Sequence, residues 1–148
     1  MMKNLTLKTL ISGAMLSTLL GTLTLSATAA PSYYVSNKAM PFSDAVLVGN
    51  TLYMSGQIGI KDGKLVKGGV AAETKQIFNN MDKVLAKFKL SRSDLVKCSV
   101  MLNDMDDFSA FNKAYLAELP APYPARSAFA VNELALGASV EIECLAAR

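Results

Sequence analysis

Two runs rich in β-branched and aromatic residues lie close together in the first half of the chain. They cover Ala45–Val48 and residues 51–59, and only Gly49 and Asn50 separate them. A two-residue connection of this kind between apolar runs is typical of a tight turn with positive φ. The pattern therefore predicts a β-hairpin.

A long amphipathic pattern follows the polar turn at residues 61–64. Its apolar side recurs at helical spacing and consists of Val70, Thr74, Ile77, Phe78, Met81, Val84, Leu85 and Phe88. The side predicted to face solvent is polar and consists of Glu73, Lys75, Asn79, Asn80, Lys83 and Lys87. The spacing predicts one long helix whose apolar stripe packs on a sheet.

The remaining pattern predicts a strand, a shorter helix and two final strands. Leu95–Leu102 alternates in polarity as a strand does, and Asn103 and Asp104 then provide a helix cap. The apolar side of the second helix consists of Phe108, Phe111, Ala114, Tyr115 and Leu119, before the prolines at 120, 122 and 124. Residues 127–131 and 139–146 have the composition and alternation of strands.

The order β-β-α-β-α-β-β predicts a mixed sheet with two helices covering one face, because strand-helix-strand connections are usually right-handed crossovers. Met101 and Leu145 fall on the face that no helix covers. A monomer rarely leaves a sizeable apolar patch in water. We therefore expect this face to be covered by self-association.

Residues 1–29 have the pattern of a secretory signal peptide. Lys3 and Lys8 precede an uncharged stretch from residue 9 to 25, and small residues at Ala27 and Ala29 fit the cleavage motif. The alternative is a retained membrane anchor, but the stretch is at the lower limit of a spanning helix. We expect cleavage after Ala29, export to the periplasm, and a single mature domain over residues 30–148.

Charge and composition exclude several classes of function. The full chain of 148 residues has 15 basic and 12 acidic residues and no histidine, and loss of Lys3 and Lys8 lowers the net charge from +3 to +1. This is far from the clustered positive charge that binds nucleic acid. The absence of histidine excludes Ser-His-Asp and Cys-His nucleophile pairs and imidazole metal sites. The sequence predicts neither a nucleic-acid partner nor a metal.

Cys98 and Cys144 have two possible states. An exported chain meets oxidising conditions, in which the pair could form a disulfide. Both residues also lie in apolar strand-like runs, where a buried free thiol behaves as a small hydrophobic residue. The spacing does not decide between these states, and the free thiols are the favoured interpretation.

The candidate chemistry lies around Arg126, Glu141 and Ser55-Gly56. Arg126 follows a rigid proline-containing approach and can bind a planar carboxylate, although a solvated loop arginine is the common alternative. Glu141 can act as a general base, although it can equally belong to the polar face of an edge strand. Gly56 permits close approach by a ligand or marks a bulge.

Taken together, six short motifs are more specific than any single residue. They are Phe42-Ser43-Asp44-Ala45, the run from Gly49 to Gly59, Asp94-Leu95-Val96-Lys97, Asp107-Phe108 with Asn112 and Tyr115, Pro124-Ala125-Arg126-Ser127, and Val140-Glu141-Ile142-Glu143. In this order they resemble the reactive intermediate deaminase family, RidA or YjgF. The resemblance implies a chorismate-mutase-like α+β fold and a homotrimer with clefts between subunits.

The resemblance also implies an activity without a cofactor. Members of this family hydrolyse 2-imino acids to 2-oxo acids and ammonia. Arg126 matches the arginine that holds the substrate carboxylate, and Glu141 matches the glutamate that positions or deprotonates water. Other positions that match the cleft are Ser55, Gly56, Asn112 and Ala128, the last through its backbone carbonyl.

Two positions depart from the family pattern. Met40-Pro41-Phe42 stands where active deaminases commonly have Gly-Pro-Tyr, so a substrate-facing hydroxyl is missing at Phe42. Ala128 stands where a cysteine is common, which widens the pocket. The alternative function, from a different class, is a non-catalytic protein that uses Arg126 to bind a small carboxylate such as a 2-oxo acid.

Overall fold

The structure is a computed structural model that describes residues 30–148, so the predicted signal peptide lies outside the described residues. The strands are β1 (Ser32–Tyr34), β2 (Ala45–Val48), β3 (Thr51–Met54), β4 (Gln57–Ile58), β5 (Ile60–Lys61), β6 (Lys64–Leu65), β7 (Leu95–Leu102), β8 (Ala125–Ala130) and β9 (Val140–Ala147). The helices are α1 (Gly69–Lys87) and α2 (Phe108–Glu118), with short 3-10 turns at Arg92–Asp94, Met105–Asp107 and Ala135–Gly137.

The main sheet is mixed, as predicted. Its strand order is β1-β2-β3-β9-β7-β8, with β4 also paired to β9, while β5 and β6 form a separate ribbon. Only β7 and β8 run parallel in it, because α2 crosses over between them. Both helices contribute to one hydrophobic core on one face of the sheet. The predicted α+β architecture is therefore confirmed.

The first hairpin forms where predicted, but its second strand is shorter. β2 pairs with β3 around the turn at Gly49, which has a φ of 58°. The predicted strand over residues 51–59 is interrupted at Ser55 and Gly56, because the chain carries one extra residue there relative to β9. This bulge lets β4 continue beside β9 in a shifted register.

Helix α1 covers the sheet with the predicted apolar stripe, with one correction. Glu73, predicted to face solvent, is only 4% exposed. It lies three residues after Val70 and four before Ile77, so it shares their buried side of the helix. Its carboxylate accepts hydrogen bonds from the Ser139 backbone N–H at 2.8 Å and from the Ser139 hydroxyl at 3.0 Å. These bonds join α1 to the segment before β9.

The two cysteines form a disulfide, so the favoured interpretation of free thiols was wrong. Strands β7 and β9 are antiparallel neighbours, and their register places Cys98 directly opposite Cys144 with the Cα atoms 4.1 Å apart. Both side chains lie in the core. The sequence separation of 46 residues contains no information about this register.

Helix α2 packs on α1 and is fixed by an arginine between them. Phe111 and Tyr115 of α2 lie in the core, as predicted. Arg92 donates to Asp82 of α1 and to Glu118 at the end of α2, with the closest N–O distances both 2.7 Å. The hydrogen bond to Asp82, followed by the other bonds and ion pairs, raises the pKa of Arg92, so its guanidinium stays charged.

The sheet face opposite the helices is open. Met101 and Leu145 lie on it half-buried, and their register partners are the exposed Phe129 and Tyr53, respectively. The prediction of an uncovered apolar face is confirmed for the single chain. Within residues 30–148, neither helix has the length and apolar character needed to cross a membrane.

Candidate active site

Arg126 lies on β8 with its side chain on the same side of the sheet as the helices. The parallel register pairs Arg126 with Cys98, whose side chain is in the core. The guanidinium carbon lies 4.7 Å from the ring centroid of Tyr115 and 5.5 Å from that of Phe111. Within the described residues, the guanidinium forms no ion pair and no hydrogen bond.

Two other predicted residues lie on the elements that hold Arg126. Ala128 is two residues further along β8, so it shares the face of Arg126, and it packs half-buried against the core. Asn112 is half-buried on α2, next to Phe111. We call Arg126, Ala128 and Asn112 the arginine half-site.

Glu141 lies on β9 and points to the open face. Its register partners are Met101 of β7 and Ile58 of β4. Its carboxylate lies directly against Gly56, where the Cβ atom of any other residue would overlap it. Gly56 therefore leaves space for the Glu141 side chain, and it lies in the bulge that was one of its two predicted roles, whereas the approach of a ligand stays a prediction.

Ser55 precedes this glycine in the chain, and it is bonded to the segment that follows Phe42. The Ser55 hydroxyl donates to the Ser43 carbonyl oxygen at 2.7 Å, and its backbone N–H donates to Asp44. The side chain of Phe42, the residue before Ser43, is 50% exposed. We call Phe42, Ser55, Gly56 and Glu141 the glutamate half-site.

The two half-sites lie on opposite faces of the same sheet. Arg126 shares the face of Cys98, whereas Glu141 is three residues from Cys144 along β9 and so projects to the other side. Strand β7 separates their strands. One copy of the chain therefore does not bring the Arg126 guanidinium and the Glu141 carboxylate into one cleft.

Two surface cavities of the described residues contain neither half-site. A cavity of about 270 Å³ on the open face is lined by Tyr53, Lys97, Ser99, Glu143, Cys144 and Leu145. A second, of about 200 Å³, is lined by Tyr34, Ser36, Asp44, Gln57, Asn80, Lys83 and Val84. In the part of the chain that the structure describes, no three acidic or cysteine side chains gather in a way that would hold a metal ion.

The sequence alone does not connect the aromatic rings beside Arg126 with the site. Phe108, Phe111 and Tyr115 repeat at helical spacing, which predicts core packing and nothing more. The available signal was the motif that joins Phe108, Asn112 and Tyr115 within the family resemblance. Only the packing of α2 against β8 shows that these rings meet the guanidinium.

Comparison with known proteins agrees with this architecture. The family model described as Endoribonuclease L-PSP matches residues 35–148. A human protein named 2-iminobutanoate/2-iminopropanoate deaminase is 43% identical over 108 residues, covering 72% of this chain and 79% of the relative. The mitochondrial protein mmf1 of Schizosaccharomyces pombe is 41% identical over 113 residues, covering 74% and 70% respectively.

The fold comparison leads to the same family. The crystal structure of RidA from the Antarctic bacterium Psychrobacter superimposes with a TM-score of 0.72 at 37% identity, covering 77% of this chain and 94% of that one. The chain thus has the α+β fold of the small deaminase-like proteins. It belongs to the RidA, or YjgF, family.

Proposed function

We propose that the protein hydrolyses 2-imino acids to the corresponding 2-oxo acids and ammonia. Arg126 binds the substrate carboxylate, and Glu141 orients and deprotonates the attacking water. A human relative at 43% identity carries the name of a deaminase for 2-iminobutanoate and 2-iminopropanoate, which supports this substrate class. No cofactor enters the proposed reaction.

The free guanidinium of Arg126 is the observation that carries the proposal. A guanidinium has five N–H donors in a planar fork that matches a carboxylate. Those of Arg126 have no partner among residues 30–148, while aromatic rings hold the side chain on one side. An arginine with this environment is prepared to bind an anion supplied from outside the chain.

The chemistry requires only a positioned water and a base. The substrate reacts as the protonated iminium. The water oxygen attacks the iminium carbon while Glu141 takes one water proton, and the C–N π electrons pass to nitrogen, giving the neutral amine of a tetrahedral carbinolamine. Glu141 then returns its proton to that nitrogen, the C–N bond breaks to expel ammonia, and the carbinolamine hydroxyl gives its proton to Glu141 and so to solvent as the carbonyl of the 2-oxo acid forms. General-base catalysis of this kind contributes about 10² to 10⁴-fold in rate.

The proposal requires more than one copy of the chain. Because the arginine and glutamate half-sites lie on opposite faces of one sheet, we propose a cyclic homotrimer in which the arginine half-site of one copy meets the glutamate half-site of the next. The uncovered apolar face around Met101 and Leu145 supports self-association.

We also propose that the protein is exported and cleaved after Ala29. The signal-peptide pattern supports this location, and so does the Cys98–Cys144 disulfide, since such bonds persist in oxidising compartments. Mass spectrometry of protein isolated from the periplasm should find Ala30 at the amino terminus. An intact leader on protein from the cytoplasmic fraction would contradict the proposal.

The deaminase activity can be tested directly. An amino-acid oxidase generates 2-iminopropanoate, whose loss is followed with and without the purified protein. Arg126→Ala should abolish the acceleration and Glu141→Gln should reduce it strongly, whereas the matched surface variants Arg148→Ala and Glu133→Gln should keep it. Binding of pyruvate without faster imine loss would instead establish the non-catalytic carboxylate-binding function.

Phe42 offers a further check on the same assay. If the missing tyrosine hydroxyl limits the reaction, Phe42→Tyr should raise the rate of imine loss above that of the unmodified protein. The side chain is half exposed, so the added hydroxyl needs no buried partner in the single chain. An unchanged or lower rate would show that this position does not limit the reaction.

A further inference from the structure

Three aromatic rings of α2 lie on one side of the guanidinium of Arg126. Phe108, Phe111 and Tyr115 follow one another at spacings of three and four residues, so they share one face of the helix. The Arg126 Cζ atom lies 5.8, 5.5 and 4.7 Å from their respective ring centroids. All three distances are within the range of about 6 Å over which a cation and an aromatic face attract each other.

Arg92 provides an internal comparison for this arrangement. Its Cζ atom lies 5.3 Å from the ring centroid of Phe78, but its donors are also bound to Asp82 and Glu118. Ion pairs therefore fix Arg92. Arg126 has no such partner among the described residues, so the rings are the contacts that restrict its otherwise flexible side chain.

The nearest ring, that of Tyr115, acts through its face and not through its hydroxyl. The side chain is 2% exposed, and within residues 30–148 the hydroxyl has no hydrogen-bond partner. Burial raises the pKa of Tyr115, and the positive charge of Arg126 opposes this only in part, so the phenol stays neutral. Among the described residues, Tyr115 therefore interacts with Arg126 through its ring and not through its hydroxyl.

We propose that Phe108, Phe111 and Tyr115 form an aromatic platform that holds Arg126 ready for the carboxylate of a 2-imino or 2-oxo acid, with Tyr115 as the main positioning residue. This inference rests on the proposed function and extends it. An arginine that is already held loses less side-chain freedom when the ligand binds. The platform does not touch the reacting carbon, so its loss should raise KM with little change in kcat.

Three variants separate the ring from the hydroxyl and from general packing. Tyr115→Leu removes the ring and should weaken pyruvate binding about tenfold and raise KM similarly, as expected for a desolvated cation–π contact. Tyr115→Phe keeps the ring and should stay within about twofold of the unmodified protein. Phe88→Leu removes a half-buried ring that contacts Tyr34 and not Arg126, and should also leave binding unchanged.

A measurement on the arginine itself keeps the test independent of activity. NMR relaxation of the arginine Nε–Hε groups should show Arg126 as ordered as the ion-paired Arg92 in the ligand-free protein. Tyr115→Leu should make Arg126 mobile and leave Arg92 ordered. If that variant also loosens Arg92, the fold is disturbed, and Phe108→Leu, at a half-buried ring, replaces it with an expected effect of about threefold.

The outcomes distinguish the platform from the proposed function. A mobile Arg126 in the unmodified protein, an Arg126 that stays ordered without the Tyr115 ring, or equal effects of Tyr115→Phe and Tyr115→Leu would each overturn the platform. If Arg126 is ordered by the ring but the protein neither binds pyruvate nor hydrolyses the imine, the proposed function fails while the platform stands as a structural feature.

Discussion

Removal of the Cys98–Cys144 disulfide should cost about 4 kcal/mol of folding stability. The bond closes a loop with a sequence separation of 46 residues and joins neighbouring strands in the core. In the chain-entropy account, a cross-link is worth about 3 kcal/mol for a 15-residue loop and about 4.7 for a 100-residue loop, which places this one near 4. The free energy of unfolding of a typical domain is only about 5 to 15 kcal/mol in total.

The assay is urea unfolding followed by circular dichroism at one fixed protein concentration, since assembly makes stability concentration-dependent. With a slope of about 1.5 to 2 kcal/mol per M urea, a loss of about 4 kcal/mol lowers the midpoint by about 2 to 3 M. We compare the unmodified protein with and without a thiol reductant, and with the double variant Cys98→Ala, Cys144→Ala. The reductant should shift only the unmodified protein.

Two results would refute this reasoning about the disulfide. One is an unmodified protein whose unfolding midpoint does not move when reductant is added. The other is the titration of two free thiols in protein that was purified and denatured without reductant. Either result would show that no stabilising disulfide joins Cys98 and Cys144.

Three further predictions follow from individual contacts. Gly56→Ala should lower kcat about 100-fold with an unchanged unfolding midpoint, because the new Cβ displaces the Glu141 carboxylate; near-normal kcat would contradict this. Glu73→Ala should cost about 2 kcal/mol in urea unfolding, since two hydrogen bonds from Ser139 are lost; a loss below about 0.5 would contradict it. Burial raises the pKa of Tyr115 in the folded protein above its ordinary value of about 10. As pH rises above about 10, the unfolded chain loses this proton more readily than the folded protein, so the free energy of unfolding should fall, and Tyr115→Phe should diminish that fall.

Periodicity alone predicts most of the fold because its signals are local. The strands at Ala45–Val48 and Leu95–Leu102 have the predicted bounds, and α1 begins and ends within one residue of the predicted stripe. Features that depend on register between distant strands could not be predicted. The bulge at Gly56 and the pairing of Cys98 with Cys144 both arise from the alignment with β9, about which the local sequence contains no information.

The candidate site also combines a feature that local sequence predicts with one that depends on strand pairing. The strand alternation that buries Val140 and Ile142 also predicts that Glu141 projects to the other face. The position of Arg126 depends on its parallel pairing with β7, which only the assembled sheet defines. The sequence therefore indicates which residues carry the chemistry, whereas the sheet shows that one chain holds them apart.

The central claim is that a site forms only between copies, with Arg126 from one and Glu141 from the next. The most direct test combines two nearly inactive variants, Arg126→Ala and Glu141→Gln, in the same trimers by co-expression with different tags. In a cyclic trimer assembled at random from equal amounts, about one quarter of the sites receive both intact residues.

Mixed trimers should therefore hydrolyse 2-iminopropanoate at about one quarter of the unmodified rate, although each variant alone is nearly inactive. Because Arg126 and Glu141 lie on opposite faces of one sheet, this recovery is the result we predict. Mixed trimers of verified composition that stay as inactive as the separate variants would contradict a site shared between subunits.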